Sequence, residues 1–383
     1  MMFRSLLSLL LLIITLQSCS KFNKATDLIT KPTAKEIYKR DLNINEELFG
    51  IWEKVNKQAV VGTSANIDLP YIESGKFFPK SYPIYSYTIQ LQRGDLLSIK
   101  IKKDSTSSLS FIDVLSLKDS VYTDLESSKF GEDQLELEIE EDNSYKVIIQ
   151  PEIEAGSFFT LQINRDPVYL FPVSGGKNSD AQSFWGAQRD GGKRSHEGVD
   201  IFAKRGTPVV ATVNGRIASS GEKGLGGKQV WLRDTKRGLS LYYAHLDSIA
   251  PIKNYQVSAG DTLGFVGNTG NARTTAPHLH FGIYSGYSGA INPYQFIKQN
   301  PQLKADIPSF YPENQLGIVK TKANLRNSNS LKSSEVIKNL SAGDTIQILG
   351  KTEDWYHVKT SHSNNSSFLH SSLAEPLNTK VPD

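Results

Sequence analysis

The chain has 383 residues, 38% of them hydrophobic, which exceeds what one core usually serves and predicts two or three domains. Its 43 basic and 40 acidic residues leave a formal charge of +3 with no long basic block, which argues against nucleic acid as a partner. A single cysteine excludes an internal disulfide and a thiolate metal site.

In chain order, Arg4 supplies a positive n-region, Leu6 to Leu16 an apolar run, and Leu16-Gln17-Ser18-Cys19 resembles a lipobox. Residues 1–18 are therefore expected to be a lipoprotein signal peptide and Cys19 the acylated residue. No later run reaches the ~20 apolar residues that span a bilayer, so lipid on Cys19 would be the only membrane anchor. Residues 19–60 read as a polar tether to about Arg40 and then one short helix, where Leu48, Ile51, Trp52 and Val55 recur at helical spacing. Over residues 61–166 the pattern changes to period two, as in Tyr85–Leu91, Leu97–Ile101 and Leu135–Ile139, which predicts half-buried strands. With Tyr145–Ile149 and Phe159–Ile163 added, this stretch is similar to the small β-sandwich modules appended to secreted peptidases. It holds no cluster of chemically active residues and is expected to be a structural accessory domain.

Pro167 to Pro172 marks the next boundary, and residues 167–298 are rich in glycine and in short strands, among them Pro208–Val213, Val230–Arg233, Leu239–Ala244, Thr262–Val266 and His278–Tyr284. Four of the chain's seven histidines, His196, His245, His278 and His280, fall here together with Asp200. His196 and Asp200 are four apart, so in extended chain both side chains leave the backbone on one side; His278 and His280 obey the same rule, with Leu279 opposite. Neutral imidazole is the commonest zinc ligand, so this pattern points to a zinc site. Residues two apart on a strand have Cβ atoms roughly 6 to 7 Å apart, so His278 and His280 reach one ion together only with strained side chains or a bent strand.

His-x-x-x-Asp followed by His-x-His, together with Gln188–Gly192, Gly206–Ala211, Gly260–Gly264 and Gly267–Gly270, resembles the lysostaphin-type zinc metallopeptidases, the LytM-like endopeptidases of bacterial cell walls. The resemblance runs from roughly Phe171 to Ile297. It implies an antiparallel β-sheet domain with a groove, one zinc held by His196, Asp200 and His280, catalytic roles for His245 and His278, and peptide cross-links of peptidoglycan as substrate. Three protein ligands leave a fourth position for a water, whose pKa zinc lowers to ~7. Some relatives of this fold have lost metal ligands and activate other wall hydrolases, so a non-hydrolytic wall-binding activator is the alternative; all five positions are intact here. Arg189 and Arg194 read as solvated loop residues. Glu197 does not belong to a helical His-Glu-x-x-His arrangement, because the residue four after His196 is an aspartate.

Residues 299–313, with Pro301, Pro308 and Pro312, form a stiffened linker. Period two then returns over residues 314–377. Ala323–Asn327, Val336–Leu340, Gly343–Leu349 and Asp354–Val358 resemble a bacterial Src-homology-3-like wall-binding module, which implies a small β-barrel. Ser367-Phe368-Leu369 stands where that family usually has Gly-Trp-Val. His357, His362 and His370 read as scattered solvated side chains. The whole is expected to be mainly β, placed in the cell envelope and lipid-anchored to a bacterial membrane on the periplasmic or outer-membrane face.

Overall fold

The computed structural model describes residues 27, 30–41, 44–105, 108–251, 255–301, 310, 313–360 and 363–377. The expected signal peptide, Cys19, His362 and most of the 299–313 linker lie outside the described residues. Strands dominate the rest, as the alternating patterns predict.

The expected helix forms over Glu46–Val61, where Asn45 Oδ1 accepts the free N–H groups of Glu47 and Leu48 at 2.8 and 3.2 Å. Its buried face is Phe49, Trp52 and Ala59, whereas Ile51 faces solvent. The stretch read as a tether also folds, into a helix over Ala34–Asp41. One residue decides this: Tyr38 packs its ring 5.4 Å from Trp52 and 5.2 Å from Phe111, and its hydroxyl accepts from the Ile153 N–H at 2.9 Å. A lone aromatic in a polar segment leaves no periodic signal.

Two sheets face each other beneath these helices. The first runs in the order Ala65–Asn66, Tyr85–Leu91, Asn143–Pro151, Ser110–Lys118, Val121–Ser127. The second includes Tyr71–Lys76, Phe158–Pro167, Asp95–Lys103 and Gln134–Glu138. Alternate residues of both sheets, among them Tyr87, Ile89, Val147, Leu97, Ile99 and Leu161, meet in one core. Ile148 and Leu115 point the other way, against Ala59 of the helix.

The second sheet does not end at this domain. Tyr71–Lys76 also pairs with Thr345–Thr352 of the C-terminal domain, Gly75 opposite Gly350, so that eleven strands among the described residues form one sheet across the two domains. A Cβ on Gly350 would collide with the Glu73 carboxylate, so glycine is what lets the strands close here. Beside this seam Glu73 is wholly buried and accepts from the Tyr71 hydroxyl at 2.6 Å, the Tyr87 hydroxyl at 2.7 Å and His357 Nδ1 at 3.1 Å. His357, expected as a solvated side chain, is thus buried and paired. The reason is alternation serving two cores: Tyr356 and Val358 face the C-terminal core, while Trp355 packs into the N-terminal one, joined by Phe368. Among the described residues the C-terminal strands pair in an open path from Val336–Leu340 through Ala323–Arg326, Ser363–His370, Trp355–Thr360, Thr345–Thr352 and Leu316–Val319 to Ala374–Pro376.

The central domain follows Phe158–Pro167 without a break. Val168 N–H donates to Gly94 O at 3.0 Å, and Arg237 reaches Glu138 with Nη2 at 2.8 Å and Nε at 3.0 Å. Its sheet runs Ala181–Ser183, Val199–Phe202, His278–Tyr284, Leu239–Ile249, Lys228–Asp234, Gly215–Glu222, Gln256–Val257. Val199, Ile201, Leu241, Tyr243, Leu279 and Phe281 face a core on one side, leaving the opposite side for the site. No helix among the described residues is long and apolar enough to cross a membrane.

Candidate metal centre

Val199–Phe202 pairs antiparallel with His278–Tyr284, Asp200 opposite His280 and Phe202 opposite His278. Because Val199, Ile201, Leu279 and Phe281 fill the core, alternation sends Asp200, His278 and His280 to the opposite face. His196 comes from the short connection between Arg194–Ser195 and Val199–Phe202 rather than from one continuous strand. Its Nδ1–H donates to the Phe184 carbonyl at 3.0 Å, which turns Nε2 toward Asp200.

Three donor atoms converge. His196 Nε2, Asp200 Oδ1 and His280 Nδ1 lie 3.0 Å from one another along each side of a triangle. Atoms bound at ~2.0–2.1 Å to one tetrahedral ion stand about 3.3 Å apart, so two imidazoles and a carboxylate at this spacing suit zinc. The other oxygen of Asp200, Oδ2, accepts from Arg189 Nη2 at 2.6 Å, and the same nitrogen donates to Ser183 Oγ at 2.6 Å. Burial by itself would raise the Asp200 carboxyl; hydrogen bonds from His196 and His280 outweigh it and hold the group well below the usual carboxylate range. Burial lowers the His280 imidazole, opposed by Asp200. Gly198 clears the space: a Cβ there would sit 2.5 Å from His280 Cε1 and 2.6 Å from the Phe281 carbonyl oxygen.

His245 reaches this face by an irregularity. Tyr243 and Leu246 point into the core, so strict alternation would not deliver His245 to the site. Against Lys228–Asp234 the register slips between the Lys228–Leu246 and Val230–Tyr243 pairs, so Ala244 and His245 together oppose Gln229. The extra residue is a β-bulge, and His245 takes a left-handed φ of 62° within it. His245 Nδ1–H donates to Thr269 O at 2.9 Å and His278 Nδ1–H to Ala276 O at 2.9 Å, so each neutral ring keeps Nε2 as its basic nitrogen. The two rings are 5.1 Å apart, centre to centre, and His278 Nε2 lies 4.0 Å from Asp200 Oδ1. Burial, with His280 and His278 nearby, lowers the His245 pKa to about 4, which keeps it neutral at physiological pH.

The structure therefore assembles all five histidine and aspartate positions singled out in the central segment. It also shows what spacing did not, that Arg189 of the Gln188–Gly192 stretch bonds to Asp200 instead of standing in solvent. Glu197 accepts from the Tyr284 hydroxyl at 3.1 Å.

Residues 194–293 match the profile of Peptidase family M23, and residues 321–373 match that of Bacterial SH3 domain. The chain carries a peptidase family M23 domain. A bacterial SH3 domain follows it toward the C-terminus. The M23 segment is similar to the L-Ala--D-Glu endopeptidase of Bacillus subtilis (strain 168), 38% identical over 124 residues, spanning 30% of this chain and 38% of that protein. It is also similar to the murein hydrolase activator NlpD of Salmonella dublin, 33% identical over 117 residues, spanning 30% of this chain and 28% of that protein. The solved catalytic domain of lysostaphin from Staphylococcus simulans is 34% identical with a TM-score of 0.28, covering 30% of this chain and 89% of that one. The chain thus spans well under half the length of these two curated relatives.

Proposed function

We propose that this protein is a zinc-dependent metalloendopeptidase that hydrolyses peptide cross-links of bacterial peptidoglycan. The 3.0 Å triangle of His196, Asp200 and His280 carries the reading, because two neutral imidazoles and one carboxylate at that spacing form a hydrolytic zinc donor set with room for a further ligand. Zinc, when bound, would polarise the peptide carbonyl and acidify a water. Asp200 contributes Oδ1, and Arg189 holds Oδ2 so that the carboxylate cannot rotate. His245 and His278 each present a basic Nε2, because their Nδ1–H groups are tied to backbone carbonyls. One takes a proton from the attacking water and the other holds the developing oxyanion or protonates the leaving amine. Exposed Phe184 and Trp185, beside His196, and Leu225, on the loop packed against the turn that holds His245, supply apolar rims for the substrate.

Lipid on Cys19 and the bacterial SH3 domain would hold the enzyme at the envelope. Cys19→Ser protein should then move from the membrane fraction to the soluble exported one. The alternative is a non-hydrolytic activator, since the relative named as one matches the same kind of segment. A complete donor triangle with both accessory histidines favours hydrolysis. The test is to purify the mature chain, measure zinc, and digest sacculi. About one zinc per chain and release of muropeptides that stops on chelation is expected. Zinc-loaded protein that releases nothing yet stimulates another hydrolase would establish the activator, and metal-free protein with full activity would refute the zinc mechanism.

A further inference from the structure

We infer that the C-terminal domain holds a pocket for the free carboxylate end of a short peptide; this rests on the peptidoglycan reading above and names the part of the wall that the domain grips. A cavity of about 390 Å³ is lined by Lys322, Asn324, Arg326, Asn339, Trp355 and His370. That volume suits one or two residues of a ligand rather than a polymer strand. The walls are placed by strand pairing: Asn324 lies opposite Asn339, and Trp355 opposite His370. Trp355 is braced from behind, because it packs into the core shared with the N-terminal domain, and its ring meets that of His370 edge-on at 5.3 Å.

The charge in this cavity has one sign. Its lining includes no aspartate or glutamate, and neither Lys322 nor Arg326 has a carboxylate partner among the described residues. Arg326 Nη1 donates to Ser334 Oγ at 3.0 Å, which steadies the guanidinium while leaving further N–H groups for a ligand. His370 Nδ1 is tied to Ser372 Oγ at 2.8 Å, which fixes the ring at the cavity wall beside Trp355. A planar guanidinium beside an ammonium group recognises a carboxylate by paired charge-assisted hydrogen bonds. The two asparagine amides decide between anions. Each offers an acceptor as well as donors, which matches the N–H and C=O of a peptide group; a phosphate has no N–H for the amide oxygens. Leu373 adds an apolar contact for a small aliphatic side chain. Stem peptides that are not cross-linked end in a carboxylate of this kind, so the domain would seat the enzyme on free ends beside the cross-links it cuts.

The test uses the full mature chain in EDTA, so that nothing is cut, titrated calorimetrically with diacetyl-Lys-D-Ala-D-Ala, with its C-terminal amide, and with inorganic phosphate. The acid should bind, and the amide should bind about tenfold more weakly, the value of one charged hydrogen bond. Arg326→Ala and Lys322→Glu should each weaken the acid by a similar factor; Lys322 is exposed, so its variant tests charge without risk to the core. Equal binding of acid and amide, no binding of the acid, or tighter binding of phosphate would overturn the assignment. Because chelation removes hydrolysis from the measurement, a protein that binds the acid yet digests no sacculi refutes the enzyme reading and supports this one.

Discussion

Replacing His357 by alanine removes a donor to Glu73 while that carboxylate remains wholly buried, held among the described residues by the hydroxyls of Tyr71 and Tyr87. Breaking a buried ionisable pair from one side costs about 3–5 kcal/mol, chiefly through the group left without its partner. His357 lies between the two domains, its ring 5.3 Å from those of Tyr87 and Phe368, so the loss falls on a shared core. At ~2–4 °C per kcal/mol for a unit of 150–250 residues, the melting temperature should fall by roughly 6–20 °C. Glu73→Gln should cost less, about 1–2 kcal/mol, since its amide oxygen still accepts from the tyrosines and its NH2 can donate to Nδ1. Hydrogen exchange read by mass spectrometry distinguishes a joint unit from two separate ones. In His357→Ala protein, protection should drop together in Tyr71–Lys76 and Phe158–Pro167 of the N-terminal domain and in Thr345–Thr352 and Trp355–Thr360 of the C-terminal one. If the N-terminal strands keep wild-type protection while Trp355–Thr360 loses it, the domains are independent and the reasoning fails. The seam also means that truncation from about Leu316 is a poor test of wall binding, because it strips Tyr71–Lys76 of a partner strand and removes His357 from Glu73.

Four further outcomes are expected. His280→Ala should lose both zinc and hydrolysis, whereas His278→Ala should keep zinc and lose on the order of 10² in turnover; loss of zinc from His278→Ala protein would overturn that division. Arg189→Ala should weaken zinc binding by about 10–100-fold in a chelator competition, as removal of a ligand's supporting hydrogen bond does, and unchanged retention would show that Asp200 needs no such support. Gly198→Ala should weaken zinc binding and lower stability, because its methyl group presses on the His280 ring and on the Phe281 carbonyl oxygen, and an unaltered zinc affinity would contradict the packing described. Lys359 is buried with no partner among the described residues, and burial lowers its pKa from 10.5 to about 8. Between those values the unfolded chain binds the additional proton, so the penalty is full below pH 8 and vanishes above 10.5. Lys359→Met should therefore stabilise the protein at pH 7 by on the order of 1–3 kcal/mol, and thermal melts should show the advantage shrinking as pH rises to 10.5; an advantage constant with pH would rule out the charge as its cause.

Alternation by itself determined the mainly β character and which face each regular residue takes. Leu279 between His278 and His280, or Ile201 beside Asp200, announces one apolar and one polar side because a strand's period is two whatever lies around it. The residue types needed for a metal centre were visible for the same reason, since ligand chemistry belongs to the side chain. What lies across from a face is a long-range fact, and only the tertiary structure decided it. Arg189 reads as a solvated loop residue until the fold brings Asp200 within 2.6 Å of it. His245 reaches the site through a bulge, and the register slip that defines a bulge exists only relative to a partner strand. Tyr38 turns a polar tether into a helix because Trp52 and Phe111 wait for it. His357 and Glu73, 284 residues apart, become a buried pair because two domains read as separate share one sheet. A strand buried on both sides looks, in sequence, like one with a solvated side until the second domain arrives to cover it.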